Sequence, residues 1–221
     1  MIVKTPYTVN LDLINNALAS VHTFDFKTSL NEPVGDFFYS PWAIKQEFIG
    51  TPWEQILHSL PPIIGEARVI RLKGNESYFS HADTDDRYHL NLTGSKSFLI
   101  DLDSHTLYPT ICDGTWYEMD AGVRHTAANF GNRDRYQLVV RKLLPRNKLY
   151  DRVSVKIVST ITDLDEARYQ FDDLISPWMN RTIKQGKIDK FNYVDGVIMF
   201  DCERLEFEVL KNMLPTEFKL V

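Results

Sequence analysis

The sequence predicts a mainly β fold, a sandwich or a barrel, on three observations. Between residues 67 and 143, short segments rich in β-branched and aromatic residues recur, each bounded by a turn signal. No long helix-period segment separates them, as a parallel sheet would require. Apolar residues make up 43% and charged residues 25% of the 221-residue chain, ordinary proportions for a folded protein, which excludes the disordered class.

The elements follow in order. Residues 10–20 read as a short helix, with Leu11, Ile14 and Leu18 at i, i+3 and i+7. Residues 31–52 carry Pro33, Gly35, Pro41, Gly50 and Pro52 among aromatics, the punctuation of loops and short extended pieces. Residues 53–60 read as a helix stopped by Pro61 and Pro62. A strand is expected at 67–72, a turn at Lys73-Gly74-Asn75 and a strand over 78–83. Further strands are expected at 88–92, 97–101, 106–109, 116–119, 125–129 and 135–143, with a turn at Asp113-Gly114. In the tail, residues 153–159 read as a strand. Residues 163–173 read as a helix with acidic groups at its start, and residues 202–213 have helical periodicity. Residues 183–191 show no clear period. The expected organisation is residues 1–66 as helices and loops packed on a core, 67–147 as the core, and 148–221 as a C-terminal extension, a lid or an interface.

Charge excludes little but directs the reading. A formal net charge of -5, from 25 basic and 30 acidic side chains, does not favour nucleic acid or anionic lipid. Arg133, Arg135, Arg141, Lys142 and Arg146 are spread along a strand and its exit rather than forming a basic run. Two distant cysteines, Cys112 and Cys202, make no disulfide framework and read as free thiols. The N-terminus shows no long apolar stretch, and no segment reaches the roughly 20 apolar residues of a membrane span. The expectation is a cytoplasmic protein, a monomer or homodimer, with neither nucleic acid nor membrane as partner. In that setting the glycosylation patterns at Asn91 and Asn180 carry no meaning.

Chemistry concentrates at His81, Asp83 and His125. On a strand, i and i+2 point to one face, so His81 and Asp83 would present an imidazole and a carboxylate to one point. His125, after the tight Asp120-Ala121-Gly122, offers a second imidazole. Two histidines and one carboxylate on one octahedral face leave three positions open, the arrangement of non-haem iron(II) oxygenases. A His-x-Asp pair also arises by chance, and histidines are often simply buried, so the pattern alone leaves both readings open. Asp85 and Asp86 lack the central glycine and final glutamate of a calcium loop, so only Asp83 is assigned to metal.

The order of features around these residues resembles a known family. His81-x-Asp83 is followed by Arg87-Tyr88-His89-Leu90, then by His125, then ten residues later by Arg135 opening the strand Arg135-Tyr136-Gln137-Leu138-Val139-Val140. This stretch, from about Arg68 to Val140, is similar to the aspartyl/asparaginyl β-hydroxylase-like branch of the 2-oxoglutarate- and iron(II)-dependent oxygenases, which also contains bacterial proline cis-hydroxylases. The resemblance implies a double-stranded β-helix core, a jelly roll of the cupin type, with flanking helices and a mixed C-terminal extension. It implies iron(II), 2-oxoglutarate and O2 as cofactor and co-substrates, with His81, Asp83 and His125 as metal ligands. Arg135 becomes the first choice to grip the distal carboxylate of 2-oxoglutarate, with Arg87 and His89 beside it and Arg141 a weaker candidate. Residues 1–60 match no part of that pattern, and the tail after about residue 145 is long for the small proline hydroxylases, so the substrate stays open.

On the substrate side the candidates are Arg124, Trp116 and Arg71, with Tyr78 and Asn129 behind them, although a tryptophan on a strand is more often core. The aromatic stretch from Phe37 to Trp42 either covers the site or seals the barrel, and Tyr193 with Asp195-Gly196 belongs to a lid or an interface. The expected activity is hydroxylation of a free amino acid or small metabolite, with decarboxylation of 2-oxoglutarate to succinate. The alternatives are a hydroxylase of Asp, Asn or Pro residues in a peptide, and a cupin-type metal protein that does not use 2-oxoglutarate.

Overall fold

Turn chemistry and alternation lay down the strands in chain order. The computed structural model describes residues 2–83, 85–94, 96–143 and 152–221, the side chains of Arg152 and Leu205 excepted. The N-terminal part holds β1 (Ile2–Thr8), α1 (Leu11–Leu18), β2 (Lys27–Ser29), the small ladder β3 (Asn31–Pro33) and β4 (Trp42–Ile44), and α2 (Pro52–Leu57). Eight strands follow: β5 (Ala67–Leu72), β6 (Glu76–Ser77), β7 (Arg87–Asn91), β8 (Ser97–Asp101), β9 (Thr106–Pro109), β10 (Thr115–Met119), β11 (His125–Asn129) and β12 (Arg135–Arg141). The tail holds β13 (Arg152–Ser159), α3 (Leu164–Gln170), a π-helical turn (Phe171–Ile175), α4 (Ser176–Lys184), β14 (Ile188–Val194), β15 (Val197–Glu203), α5 (Arg204–Met213) and β16 (Phe218–Leu220). These residues form two compact units: 2–80 with 85–143, and 81–83 with 152–221. The expected boundary at 147/148 lies outside the described residues.

In the first unit, the strands from β5 to β12 alternate between two antiparallel sheets, except that β8 and β9 are neighbours in one of them. One sheet has the order β1-β10-β7-β12-β5-β2 and the other β6-β11-β8-β9. The inner pairings β10-β7-β12-β5 against β6-β11-β8-β9 are those of a jelly roll, with β1 and β2 added at the two edges of the larger sheet. The fold is thus mainly β, a cupin-like jelly-roll core with flanking helices and C-terminal strands.

Each face of the larger sheet has its own partner. Val69, Tyr88, Leu90, Trp116, Leu138 and Val140 turn outward and pack on Ile14 and Ala17 of α1 and Trp53 and Ile56 of α2. Both buried tryptophans satisfy their indole N–H: Trp53 bonds Ser20 Oγ at 3.0 Å and Trp116 bonds Ser59 Oγ at 2.8 Å. The inner face meets the smaller sheet through Leu72, Met119, Ala127 and Leu99, with Tyr78 and Tyr108 packed beside them. Gly114 closes the β9–β10 link at φ 76°, where a Cβ would lie 2.3 Å from Val9 O. Only glycine fits that turn.

In the second unit, the sheet runs β14-β15-β13-β16. Asp163 caps α3 by accepting from the N–H groups of Asp165 and Glu166, which is why an acidic cluster opens that helix. Phe171 stacks on Tyr193 with ring centroids 4.5 Å apart. Asp195 and Gly196, at φ 48° and 78°, form the tight turn between β14 and β15. Cys112 and Cys202 are both free. Among the described residues, no helix is long and apolar enough to cross a membrane.

Candidate metal centre

His125 opens β11, and alternation turns it inward with Ala127 and Asn129. Its Nδ1 lies 2.8 Å from Val123 O. A carbonyl only accepts, so Nδ1 carries the proton and Nε2 keeps its lone pair for a metal, an outer bond that also fixes the ring's tautomer. The chain that brings the other two groups is stapled to the same strand: Tyr78 N donates to Ala127 O at 2.9 Å, and Thr126 Oγ1 donates to Tyr78 O at 2.6 Å.

His81, Asp83 and His125 each offer one ligand atom, and these atoms lie within 4.8 Å of one another. His81 Nε2 stands 3.7 Å from Asp83 Oδ2. Ligand atoms each about 2.1 Å from one ion lie roughly 3 Å apart when cis, so the cluster closes on an ion by a shift on the order of 1 Å. The expected strand over 78–83 is corrected: β6 ends at Ser77, and His81, in an isolated bridge, and Asp83 sit on the irregular segment that follows. They converge because β11 consumes both backbone groups of Tyr78 and sets the loop's direction, without any help from pleat alternation.

Beyond the triad, the inner face carries polar groups that the protein does not satisfy. Arg135 is 1% exposed. Its Nη2 donates to Gln137 Oε1 at 3.1 Å, while Nε and Nη1 have no partner. Burial lowers its pKa. The buried hydroxyl of Tyr78 is also unpartnered, its pKa raised by burial and then lowered in part by Arg135. A cation with idle donors beside an idle phenol, both buried, is costly unless an anion completes it. The donor set therefore fits the distal carboxylate of a dicarboxylate.

Arg87 and Arg141 serve a different partner. Asp85, 2% exposed, accepts from Arg141 Nε at 2.7 Å and Nη2 at 2.9 Å, and Arg87 Nε lies 3.5 Å away. The Arg141 guanidinium also lies over the rings of Phe37 and Phe38, at 4.1 and 4.7 Å. Arg141 as a carboxylate clamp is thereby corrected: its fork is already filled. Asp85→Ala leaves a buried guanidinium without its counter-charge and should cost about 3–5 kcal/mol, read from urea unfolding. Adding Arg141→Met should restore part of it; a double variant no more stable than the single would exclude this pair as the cause.

His89 is strongly perturbed. Burial, then the charge of Arg87, pushes its pKa down to about 3, so its ring stays neutral in the fold. The unfolded chain takes up that proton near pH 6.5. Between those values the unfolded state binds more protons, so stability is whole above pH 6.5 and declines as the pH falls toward 3. At pH 4.5 the loss should reach about 2–3 kcal/mol. His89→Leu should flatten the fall in Tm between pH 7 and 4.5; an unchanged slope would place the acid sensitivity elsewhere.

The substrate expectations are not gathered at the metal. Arg124 is ion-paired to Asp103 at 3.0 Å on the surface. Trp116 is wholly buried on the helix side of its sheet, which corrects its placement at a pocket. Arg71, in register with Tyr136, lies 3.9 Å from Asp134. Asn129 ties three carbonyls, of Leu72, Lys73 and Arg133, and so holds the turn before Arg135. Two inner-face partners escaped the sequence reading. Gln137 and Asn91 lie two residues from Arg135 and His89, and Gln137 Nε2 donates to Asn91 Oδ1 at 2.7 Å. Period-two counting from those anchors was the available signal.

No protein family's sequence profile matches the chain, and no curated protein does. Solved structures do match. A prolyl-4-hydroxylase of Pseudomonas putida is 13% identical, with 64% of this chain and 86% of that one covered and a TM-score of 0.40. EctD from S. alaskensis, solved with bound Fe, is 13% identical over 64% of this chain and 72% of that one, at 0.41. A cupin domain of Bordetella pertussis is 13% identical over 37% of this chain and 84% of that one, at 0.32. At these values the likeness is loose, and the fold assignment rests on sheet order. The jelly-roll core with two histidines and one carboxylate gathered at one point resembles the class that includes the iron(II)- and 2-oxoglutarate-dependent dioxygenases.

Proposed function

We propose that this chain is an iron(II)- and 2-oxoglutarate-dependent dioxygenase that hydroxylates a free amino acid or another small metabolite. The observation that carries the reading is the pairing of a two-histidine, one-carboxylate cluster with a buried arginine whose donors the protein leaves idle. A cupin-type protein without the co-substrate has no use for that arginine.

His81, Asp83 and His125 would hold the ion and leave half of its coordination sphere open. Iron with 2-oxoglutarate would supply the oxidation: one oxygen atom of O2 goes to the substrate carbon as hydroxyl, the other to succinate, with carbon dioxide released. Arg135 grips the distal carboxylate through its idle donors, and the Tyr78 hydroxyl donates beside it. Arg87 and His89, on the adjacent strand β7, lie in register with Arg141 and Val139, further along the sheet from Arg135, so the grip on the carboxylate is assigned to Arg135 with Tyr78. The apolar layer of Leu72, Met119 and Ala127 excludes water from the inner side.

The test is succinate release coupled to a substrate mass gain of about 16 Da, one oxygen atom, screened over free amino acids and over peptides carrying Asp, Asn or Pro. Turnover on free amino acids is expected. Turnover confined to peptides would move the substrate class, and substrate-dependent oxidation without succinate would end the co-substrate assignment.

A further inference from the structure

The first unit contains a second chamber that the metal chemistry does not use. A cavity of about 210 Å³ takes its walls from both sheets, through Leu99 of β8, Tyr108 of β9, Tyr117 of β10 and Ile111 just beyond β9. Gln137 and His89 line its polar side, and none of His81, Asp83, His125 or Arg135 does. Two properties of that lining point to a ligand. The walls are apolar, and the carboxamides within them are already engaged: Gln137 accepts a hydrogen bond from Arg135 and donates one to Asn91, and Asn91 donates to Ile111 O at 3.1 Å. His89, 6% exposed, has no ring nitrogen in full hydrogen-bond geometry, and Gln137, its near polar neighbour, is already committed to Arg135 and Asn91. Lys4, at the margin, is held by Asp113 at 3.1 Å, and Asp113 also accepts from the Tyr117 hydroxyl.

We propose that this cavity binds a small neutral molecule, with an apolar body and one hydroxyl or amide that hydrogen-bonds His89. Size sets the first limit. The cavity is below the roughly 300–1,000 Å³ of drug-sized clefts, whereas a dry cavity of about 150 Å³ already admits benzene. One ring or a short branched chain therefore fills it. Charge sets the second limit. Lys4 is the only cation among the lining residues and it is paired, so a carboxylate would enter without a counter-ion. Polarity sets the third. An unmet imidazole within apolar walls favours a ligand that meets it over an equally sized hydrocarbon, because leaving a buried polar group unsatisfied is costly. Burial holds the ring neutral, so it offers a donor at one nitrogen and an acceptor at the other, and the ligand's hydroxyl or amide meets one of the two.

The site is independent of the metal reading, so its test uses the full-length chain freed of metal. Phenol, toluene and benzoate are titrated separately and followed by the NMR signals of the Tyr108, Tyr117 and His89 rings. Saturable shifts are expected with phenol, at an affinity at least tenfold above toluene, and none with benzoate. Ile111→Trp, at a half-exposed wall position that tolerates a larger side chain, should weaken phenol at least tenfold. Toluene binding as tightly as phenol, benzoate binding best, or phenol binding untouched by Ile111→Trp would each overturn the proposal. Displacement of phenol by 2-oxoglutarate added with manganese would also overturn it, because the cavity would then belong to the co-substrate.

Discussion

His81→Ala is expected to lose iron binding and at least a thousandfold of substrate-dependent succinate release, while its Tm without metal stays within a few degrees of the unsubstituted protein. The separation follows from where the side chain sits. His81 is 42% exposed at its side chain and stands on a loop, so its removal opens no core cavity. The metal loses one of three protein ligands, and the two that remain cannot hold an open octahedral ion in one orientation. Manganese, added anaerobically at a hundredfold excess over its Kd, should stabilise the unsubstituted chain by about 2.7 kcal/mol and leave the variant unmoved. Asp83→Ala should behave in the same way. His125→Ala should also lose the metal, but with a larger fall in Tm, because that ring is 5% exposed and bonded to Val123. A His81→Ala protein that still shows the manganese shift would remove this residue from the site.

The sequence displayed the metal residues for a reason that proved incomplete. His81 and Asp83 were legible as a pair because a strand would aim i and i+2 together. They are instead aimed by the staples between Tyr78 and β11, which link residues 48 positions apart and leave no local pattern. The mainly β core was readable, since short strands between turn residues recur from β7 to β12, whereas the jelly-roll order was implied only by the family resemblance. The outer elements were not. β1 is added to an edge by pairing with β10, and its burial pattern lacks strict alternation, so nothing local marks it as a strand. In the tail, Asp195-Gly196 was a strong hairpin signal, yet the segments on either side were left without strands because charged and apolar residues mix in 188–194. The roles of Arg87 and Arg141 turned on Asp85, a residue that the sequence showed only as part of an acidic run. Its two-way pairing is a tertiary fact.

Arg135→Met carries the opposite combination of effects: 2-oxoglutarate affinity should fall at least a hundredfold, and stability should hold or rise. The two halves have one physical source. In the ligand-free protein, Arg135 is a buried cation with a single hydrogen bond to Gln137 and two nitrogens idle, so its desolvation is poorly offset. Methionine fills similar volume without that cost. A residue kept there against stability is kept for what it binds. Arg135→Lys preserves the charge but lacks the planar fork, and should recover only part of the affinity. Affinity is read from the added thermal shift that 2-oxoglutarate gives the manganese-loaded protein, and independently from the weak visible band expected when 2-oxoglutarate joins anaerobic iron. Two results would refute the assignment. If Arg135→Met keeps its 2-oxoglutarate shift, the carboxylate is held elsewhere. If it unfolds by several kcal/mol with the ligand absent, the guanidinium is a structural tie whose missing partners are supplied within the fold, and the idle donors cease to argue for any co-substrate.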